Sequence, residues 1–237
     1  NKSIIKCSNR GKMTILILCA GESKRFKWEG ISKHRLPVFG EELLSRTVRQ
    51  CKDRVGYTDE ISIVTNDFSI TDGLTGEMYC YREKDDDVDY SIYTPEKYSY
   101  ICQTLKSTRN IWGDDRTIVL LGDVLYSEYI IDRVFSKHPP ILFYGSIVHK
   151  EIYALAFTDK PEIIWALDRV DERVVEGFHG QLWQLFYVLN KLPGHRHPDS
   201  IPYRMFRHVY DFTQDFDTVE DYEKFLYFKE KIYKEEA

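Results

Sequence analysis

One stretch constrains this chain more than any other: residues 13–47, MTILILCAGESKRFKWEGISKHRLPVFGEELLSRT. Its apolar run Ile15-Leu16-Ile17-Leu18 reads as a buried strand. The run opens into Cys19-Ala20-Gly21-Glu22-Ser23-Lys24-Arg25-Phe26, a loop of small and basic residues. After Lys33 and Pro37, the segment Glu41–Val48 has helical apolar spacing. A buried strand that opens into such a loop lets backbone N–H groups point at a ligand. Small side chains let a phosphate come close, and the bases supply counter-charge.

The next segments extend this into a β–α–β order. A helix over Leu43–Cys51 leads to a strand over Glu60–Thr65, which implies a parallel sheet. A helix is expected over Tyr98–Trp112, with Ser99 as its cap. The β-branched run Thr117–Leu125 is a strand carrying Gly122-Asp123. Ligands of open α/β sheets bind at strand C-termini, and an Asp there can coordinate a divalent cation. Further strands are expected over Ile141–Gly145 and Tyr153–Phe157, with helices over Tyr129–Phe135, Pro161–Arg173 and Gly177–Leu192. In the last of these, Leu182, Leu185, Phe186 and Leu189 share one face, which suits a core or a homodimer contact. His179 at its start is an acceptor-site candidate, as is Arg196 in the Pro193–Pro202 loop, where two histidines are spaced HxH. Tyr79–Tyr81 reads as a short strand, and the acidic run at 83–87 as a solvated loop. Near the end, Thr218 caps a helix running to Glu235, with Asp221 completing an acidic capping box. Asp215 and Asp217 lie two apart on the extended segment before it and project to one side.

Four motifs, in order, resemble the nucleotidyltransferase family with the GT-A-like fold. The family's opening L-A-A-G-x-G-x-R is matched by Leu18–Arg25, with Ser23 for the second Gly. Its P-K-x-L-x-P-V-x-G is matched by Ser32–Gly40, with Ser32 for Pro and Arg35 where an apolar residue is common, and Leu43-Leu44 follow. The Asp of its LLxGD falls at Asp123, and its closing D-x-D-T-x-E-D is matched by Asp215–Asp221. The resemblance implies a Rossmann-like α/β fold, a mixed but mostly parallel central sheet flanked by helices. It implies Mg²⁺-dependent transfer of a nucleoside monophosphate from a nucleoside triphosphate to a phosphorylated sugar or alcohol, with release of pyrophosphate. Arg25, Lys33, Asp123 and Asp217 would be the catalytic residues. Asp123 and Asp217 would hold the metal, with Asp215 the alternative second ligand. Leu18, Cys19, Ala20, Gly21, Glu22, Ser23, Lys24, Arg25, Lys33, Asn66, Ser99 and Gly122 would line the nucleotide, Gly122 by letting backbone approach a phosphate.

Composition narrows the alternatives. The 237 residues suit one domain over 13–237, with a nucleotide half to about residue 125 and an acceptor half beyond it. Residues 1–12 form a polar, basic extension, or an added strand through Ile4-Ile5. A net charge of −5 and a pI near 5.8 argue against a general nucleic-acid binder. Five scattered cysteines without a CxxC pair indicate neither a zinc site nor a disulfide framework, and suit reduced thiols in a cytoplasm. No apolar run nears the roughly 20 residues of a membrane span, and no signal-peptide core is visible at the start. Two other readings remain. A GT-A glycosyltransferase would need a D-x-D motif after the middle strand, where this chain has Gly-Asp-Val-Leu. A non-catalytic nucleotide-binding module would leave the full cation and carboxylate set unexplained.

Overall fold

The computed structural model describes residues 11–20, 26, 30–56, 58–71, 74, 90–136, 139–193 and 204–236. The expected strand at 79–81, the acidic run, the Ile4-Ile5 segment and most of the 193–202 loop lie outside these residues.

The first strand, β1 (Met13–Leu18), is buried at every position. It is followed by a short hairpin of β2 (Pro37–Val38) and β3 (Glu41–Glu42), turned through Phe39 and Gly40. Both turn residues have positive φ, 47° and 86°, the pair that a tight two-residue turn between twisted strands requires. Helix α1 (Leu43–Lys52) then leads to β4 (Glu60–Val64), and β5 (Tyr90–Tyr93) comes next. Helix α2 (Ile101–Ser107) precedes β6 (Arg116–Leu121) and the short β7 (Val124–Leu125). Helix α3 (Glu128–Phe135) connects to β8 (Ile141–Ser146) and β9 (Glu151–Phe157). Two helices, α4 (Lys160–Val175) and α5 (Leu182–Leu189), are followed by β10 (Phe206–His208), β11 (Gln214–Asp215) and the closing α6 (Val219–Glu236).

The main sheet has seven strands in the order β10-β8-β9-β6-β1-β4-β5. Neighbours are parallel except where β9 runs against β6 and β8. The chain moves outward from β1 through β4 and β5, then returns to place β6 on the other side of β1. The reversal of strand order between β1 and β6 opens a crevice at their C-terminal ends.

Strand alternation sends side chains into two cores. Leu16 and Leu18 of β1 join Val119, Leu155 and Phe157 under α2, α4 and α5. Met13, Ile15 and Ile17 join Ile118, Leu120 and Ala156 under α1 and α3. A strand with apolar side chains on both faces needs a helical layer on each side, so the unbroken run in β1 dictates three layers. A third cluster, with Leu36, Val38, Leu125, Phe216, Tyr222 and Phe225, ties α6 to the β2–β3 hairpin. The Tyr222 hydroxyl donates to the Pro37 carbonyl at 2.7 Å.

Several local expectations are corrected. Helix α2 is capped by Tyr100 with no side-chain hydrogen bond, so Ser99 lies before the cap, and a separate 3₁₀ turn covers Arg109–Ile111. The strand expected to run through Leu125 stops at Leu121, and β7 is a separate piece in a different sheet. Glu41 and Glu42 pair as a strand just ahead of α1, which starts at Leu43 as expected. Helix α5 is shorter than expected, and all eight of its residues are buried within the chain, which leaves no apolar face on it for a dimer. Among the described residues, no helix is long and apolar enough to cross a membrane.

Candidate functional site

A cleft of about 510 Å³ opens at the β1–β6 switch point. The ends of both strands form its floor: Leu18, Cys19 and Ala20 on one side, Leu121 and Asp123 on the other. The Cys19 N–H donates to Val64 O at 2.8 Å, and the Gly122 N–H donates to Leu18 O at 2.9 Å, so both strand ends continue the sheet's hydrogen bonding. The residues preceding and opening α2, Tyr98–Ile101, form one wall together with Gln181, Leu182 and Trp183. The opposite wall is acidic, with Glu151 at the start of β9 and Asp215 and Asp217 around β11.

A small ladder brings the distant acids in. Strand β7 pairs antiparallel with β11, Val124 opposite Asp215 and Leu125 opposite Gln214. Buried Phe216, between the two acids, packs into the third core and anchors them. The capping box after them is formed: the Asp221 N–H donates to Thr218 Oγ1 at 3.3 Å, and the Thr218 N–H donates to Asp221 Oδ2 at 3.0 Å. Helix α6 therefore starts at a defined point just beyond Asp217.

Lys33 reaches into the cleft and forms an ion pair with Asp123. Burial works against the lysine's charge, but Asp123, with Asp217 and Asp215 behind it, outweighs burial and raises its pKa. Burial works against the Asp123 carboxylate too, and Lys33 outweighs it and lowers its pKa. Both groups are therefore charged at neutral pH. His34, next along, is a buried part of the cleft lining, with its Nδ1 3.1 Å from Ser32 Oγ. Burial takes its imidazole down to about 4, with Lys33 adding to this and Asp123 opposing it, so the ring is neutral. The Cys19 thiol is raised well above its ordinary value by burial and then by Asp123, so it is protonated and not a nucleophile.

One oxygen from each of Glu151, Asp215 and Asp217 lies within 4.8 Å of the others. Burial, followed by Asp123 and Asp217, pushes Asp215 up to about 6. Converging oxygen donors of this kind fit a hard divalent cation. Of the expected pair, Asp217 belongs to this trio, while the Asp123 carboxylate pairs with Lys33.

The remaining sequence candidates divide. Leu18, Cys19, Ala20, Lys33, Ser99, Asp123 and Asp217 all line the one cleft, whereas Asn66 and Gly122 do not. Gly122 is buried, and a Cβ there would lie 2.2 Å from Cys19 Sγ and 3.3 Å from Leu18 O. Close packing of the two strand ends requires a glycine here. Gly21, Glu22, Ser23, Lys24, Arg25 and Arg196 lie outside the described residues. His179 is on the surface against Tyr100 and does not line the cleft. Glu151, His34 and Trp183 were missed as site residues. A single acid at a strand start or a buried aromatic carries no sequence signal until the chain is folded.

No protein-family model matches the chain, and no curated protein matches it in sequence. Solved structures do. A nucleotidyl transferase from Methanothermobacter thermautotroptrophicus superposes with a TM-score of 0.61 at 14% identity, over 94% of this chain and 98% of that one. The inositol-1-phosphate CTP transferase from T. maritima gives 0.58 at 11% identity, over 94% and 97%. The CTP:phosphocholine cytidylyltransferase from Streptococcus pneumoniae gives 0.54 at 12%, over 90% and 97%. This chain has the nucleotidyltransferase fold. The likeness runs through nearly the whole length of each of these proteins. In the nucleotidyltransferase fold of this chain, the cleft sits at the switch point with Lys33 and four carboxylates around it.

Proposed function

We propose that the protein is a nucleotidyltransferase that moves a nucleoside monophosphate from a nucleoside triphosphate to a phosphorylated sugar or alcohol and releases pyrophosphate. The supporting observation is the cleft itself, where Lys33 is held against Asp123 opposite Glu151, Asp215 and Asp217. Covalent catalysis needs an activated nucleophilic side chain. Here the thiol at the floor is protonated and the histidine beside it is buried and neutral. Joining two phosphate anions needs instead positioning and charge neutralisation.

In this reading the acceptor phosphate attacks the α-phosphorus in line, and pyrophosphate departs. Lys33 lies near the α-phosphate and offsets charge that grows during transfer. Arg25 grips the departing β- and γ-phosphates through its planar fork. Backbone amides of the loop after β1 cradle the triphosphate, with Ser99 beside the nucleoside. Glu151, Asp215 and Asp217 would hold Mg²⁺, with Asp123 as a further candidate. The cation supplies Lewis-acid stabilisation of the phosphate oxygens. Lys33 and Asp123 neutralise each other across the floor, and a triphosphate with its cation offers each a partner of opposite sign. Residues 13–125 form the nucleotide half and 126–237 the acceptor half, in a compartment with reduced thiols such as the cytoplasm.

The test is pyrophosphate release from each of the four triphosphates, with and without Mg²⁺, against a panel of phosphorylated sugars, alditols and choline. Release that needs one triphosphate, one acceptor and Mg²⁺ supports the reading. Consumption of a nucleotide-sugar donor without pyrophosphate release would instead indicate glycosyl transfer.

A further inference from the structure

Strands β6 and β9 pair antiparallel through Thr117–Phe157, Ile118–Ala156, Val119–Leu155 and Leu120–Ala154. The same register would next set Leu121 opposite Tyr153, two residues before Asp123 and two after Glu151. The ladder stops there, and the hydroxyl of Tyr126 stands in the gap. It accepts from the Leu121 N–H at 2.8 Å and donates to the Tyr153 carbonyl at 2.6 Å, with the Leu121 carbonyl at 3.2 Å. Tyr126 is fully buried.

A second irregularity coincides with the first. On its other edge β9 pairs with β8, Ala154 opposite Tyr144 and then Ile152 opposite Gly145, so Tyr153 is the extra residue of a bulge. The bulge turns consecutive residues, Tyr153 and Ala154, into the same core, where a regular strand would alternate. The strand thus bends at the residue that Tyr126 holds. Beyond the bend, Glu151, Ile152 and Tyr153 line the cleft.

We propose that the Tyr126 hydroxyl is a strut that ends the β6–β9 ladder and holds the two strand ends at a fixed separation, which makes Tyr126 a positioning residue for Asp123 and Glu151. The loop carrying Asp123 is closed on itself by this hydroxyl, because Tyr126 bonds the backbone of Leu121 from just beyond Asp123. Gly122 pins the same loop to β1, and the Phe216 N–H lies 3.4 Å from the Asp123 carbonyl on the third side. A direct rung would draw β9 toward β6 and bring Glu151 in toward Asp123. A loose end would remove one of the ties that fix the Asp123 loop.

The test is Tyr126→Phe in the full chain, which keeps the ring and removes only the hydroxyl. Amide hydrogen exchange is read residue by residue, with Val119 and Leu120 as internal references for any general loss of stability. The strut predicts that Leu121 exchanges at least tenfold faster relative to those references. If the ratio is unchanged, the hydroxyl does not hold the strand end and the proposal fails. The activity arm rests on the nucleotidyl-transfer reading. There kcat for pyrophosphate release should fall about tenfold or more while KM for the triphosphate stays within about threefold. Unchanged kcat, or a loss carried by KM alone, overturns the positioning role. If the parent chain releases no pyrophosphate under any condition, the functional reading fails by itself, and the exchange ratio still decides the strut.

Discussion

Gly122 and Cys19 offer a quantitative test of how the cleft floor is built. In Gly122→Ala the new methyl would lie 2.2 Å from Cys19 Sγ, far inside ordinary contact, with His34 Cδ2 at 3.2 Å and Leu18 O at 3.3 Å. The second and third contacts are tight but yield to shifts of a few tenths of an ångström. The sulfur contact does not, because Cys19 is buried and its backbone is bonded to Val64. Overpacking of this kind costs about 1–3 kcal/mol, and we expect Gly122→Ala alone at the upper end of that range, about 3 kcal/mol. Cys19→Ala removes the sulfur and costs about 1 kcal/mol as a small buried truncation. In the double variant the truncation vacates the space that the methyl needs. Its destabilisation should therefore lie within about 1 kcal/mol of Cys19→Ala, a coupling of about 2 kcal/mol or more. Urea unfolding of the four chains, analysed at a common m-value, measures each corner of the cycle. Additive costs, with the alanine at 122 equally damaging whether or not the sulfur is present, would refute the packing account of Gly122.

Three further outcomes follow from the same geometry. Lys33→Ala should lower kcat for pyrophosphate release by about 10²-fold or more, with a smaller change in KM, and a pure loss of affinity would argue against its place at the α-phosphate. The buried His34, held near 4 against about 6.5 in an unfolded chain, resists protonation only while folded. Its contribution is therefore complete above pH 6.5 and lost as pH falls toward 4, up to about 3 kcal/mol across that window. Unfolding free energies at pH 7.5 and 5 should show this slope in the parent and a flatter one in His34→Gln. Gly145→Ala places a methyl 2.2 Å from the Glu151 carbonyl oxygen, which is backbone and cannot swing aside. It should cost about 3 kcal/mol in thermal or urea unfolding and weaken divalent-cation binding, read by Mn²⁺ titration.

Much of the nucleotide-side architecture was legible because it is encoded locally. The apolar run of β1, the short helix after it and the apolar body of β6 each follow from side-chain pattern over a few neighbours, though not the end of β6 at Leu121. The acids were legible as types but not as a group. Asp215 and Asp217 could be placed on one side of an extended segment, yet their partner Glu151 had no mark of its own. The aromatic helix at 182–189 showed the limit of amphipathic reasoning: its apolar face suited a core or a homodimer contact, and the chain buries all eight residues by itself. Ser99 looked like a cap because it stands near the helix start, but the backbone turns helical only after Tyr100.

Contiguous residues alone specify a layered α/β chain with an open crevice beyond β1, because burial on both faces of a strand and a loop of small residues are local properties. Which charges meet is set by the folded chain. Lys33 finds Asp123 across 90 residues of chain, and the β7–β11 ladder carries Asp215 and Asp217 to Glu151. Those meetings depend on strand order, on one bulge at Tyr153 and on a single buried hydroxyl at Tyr126. Pairing across a sheet is set by the summed packing of many distant residues, so no local pattern encodes it.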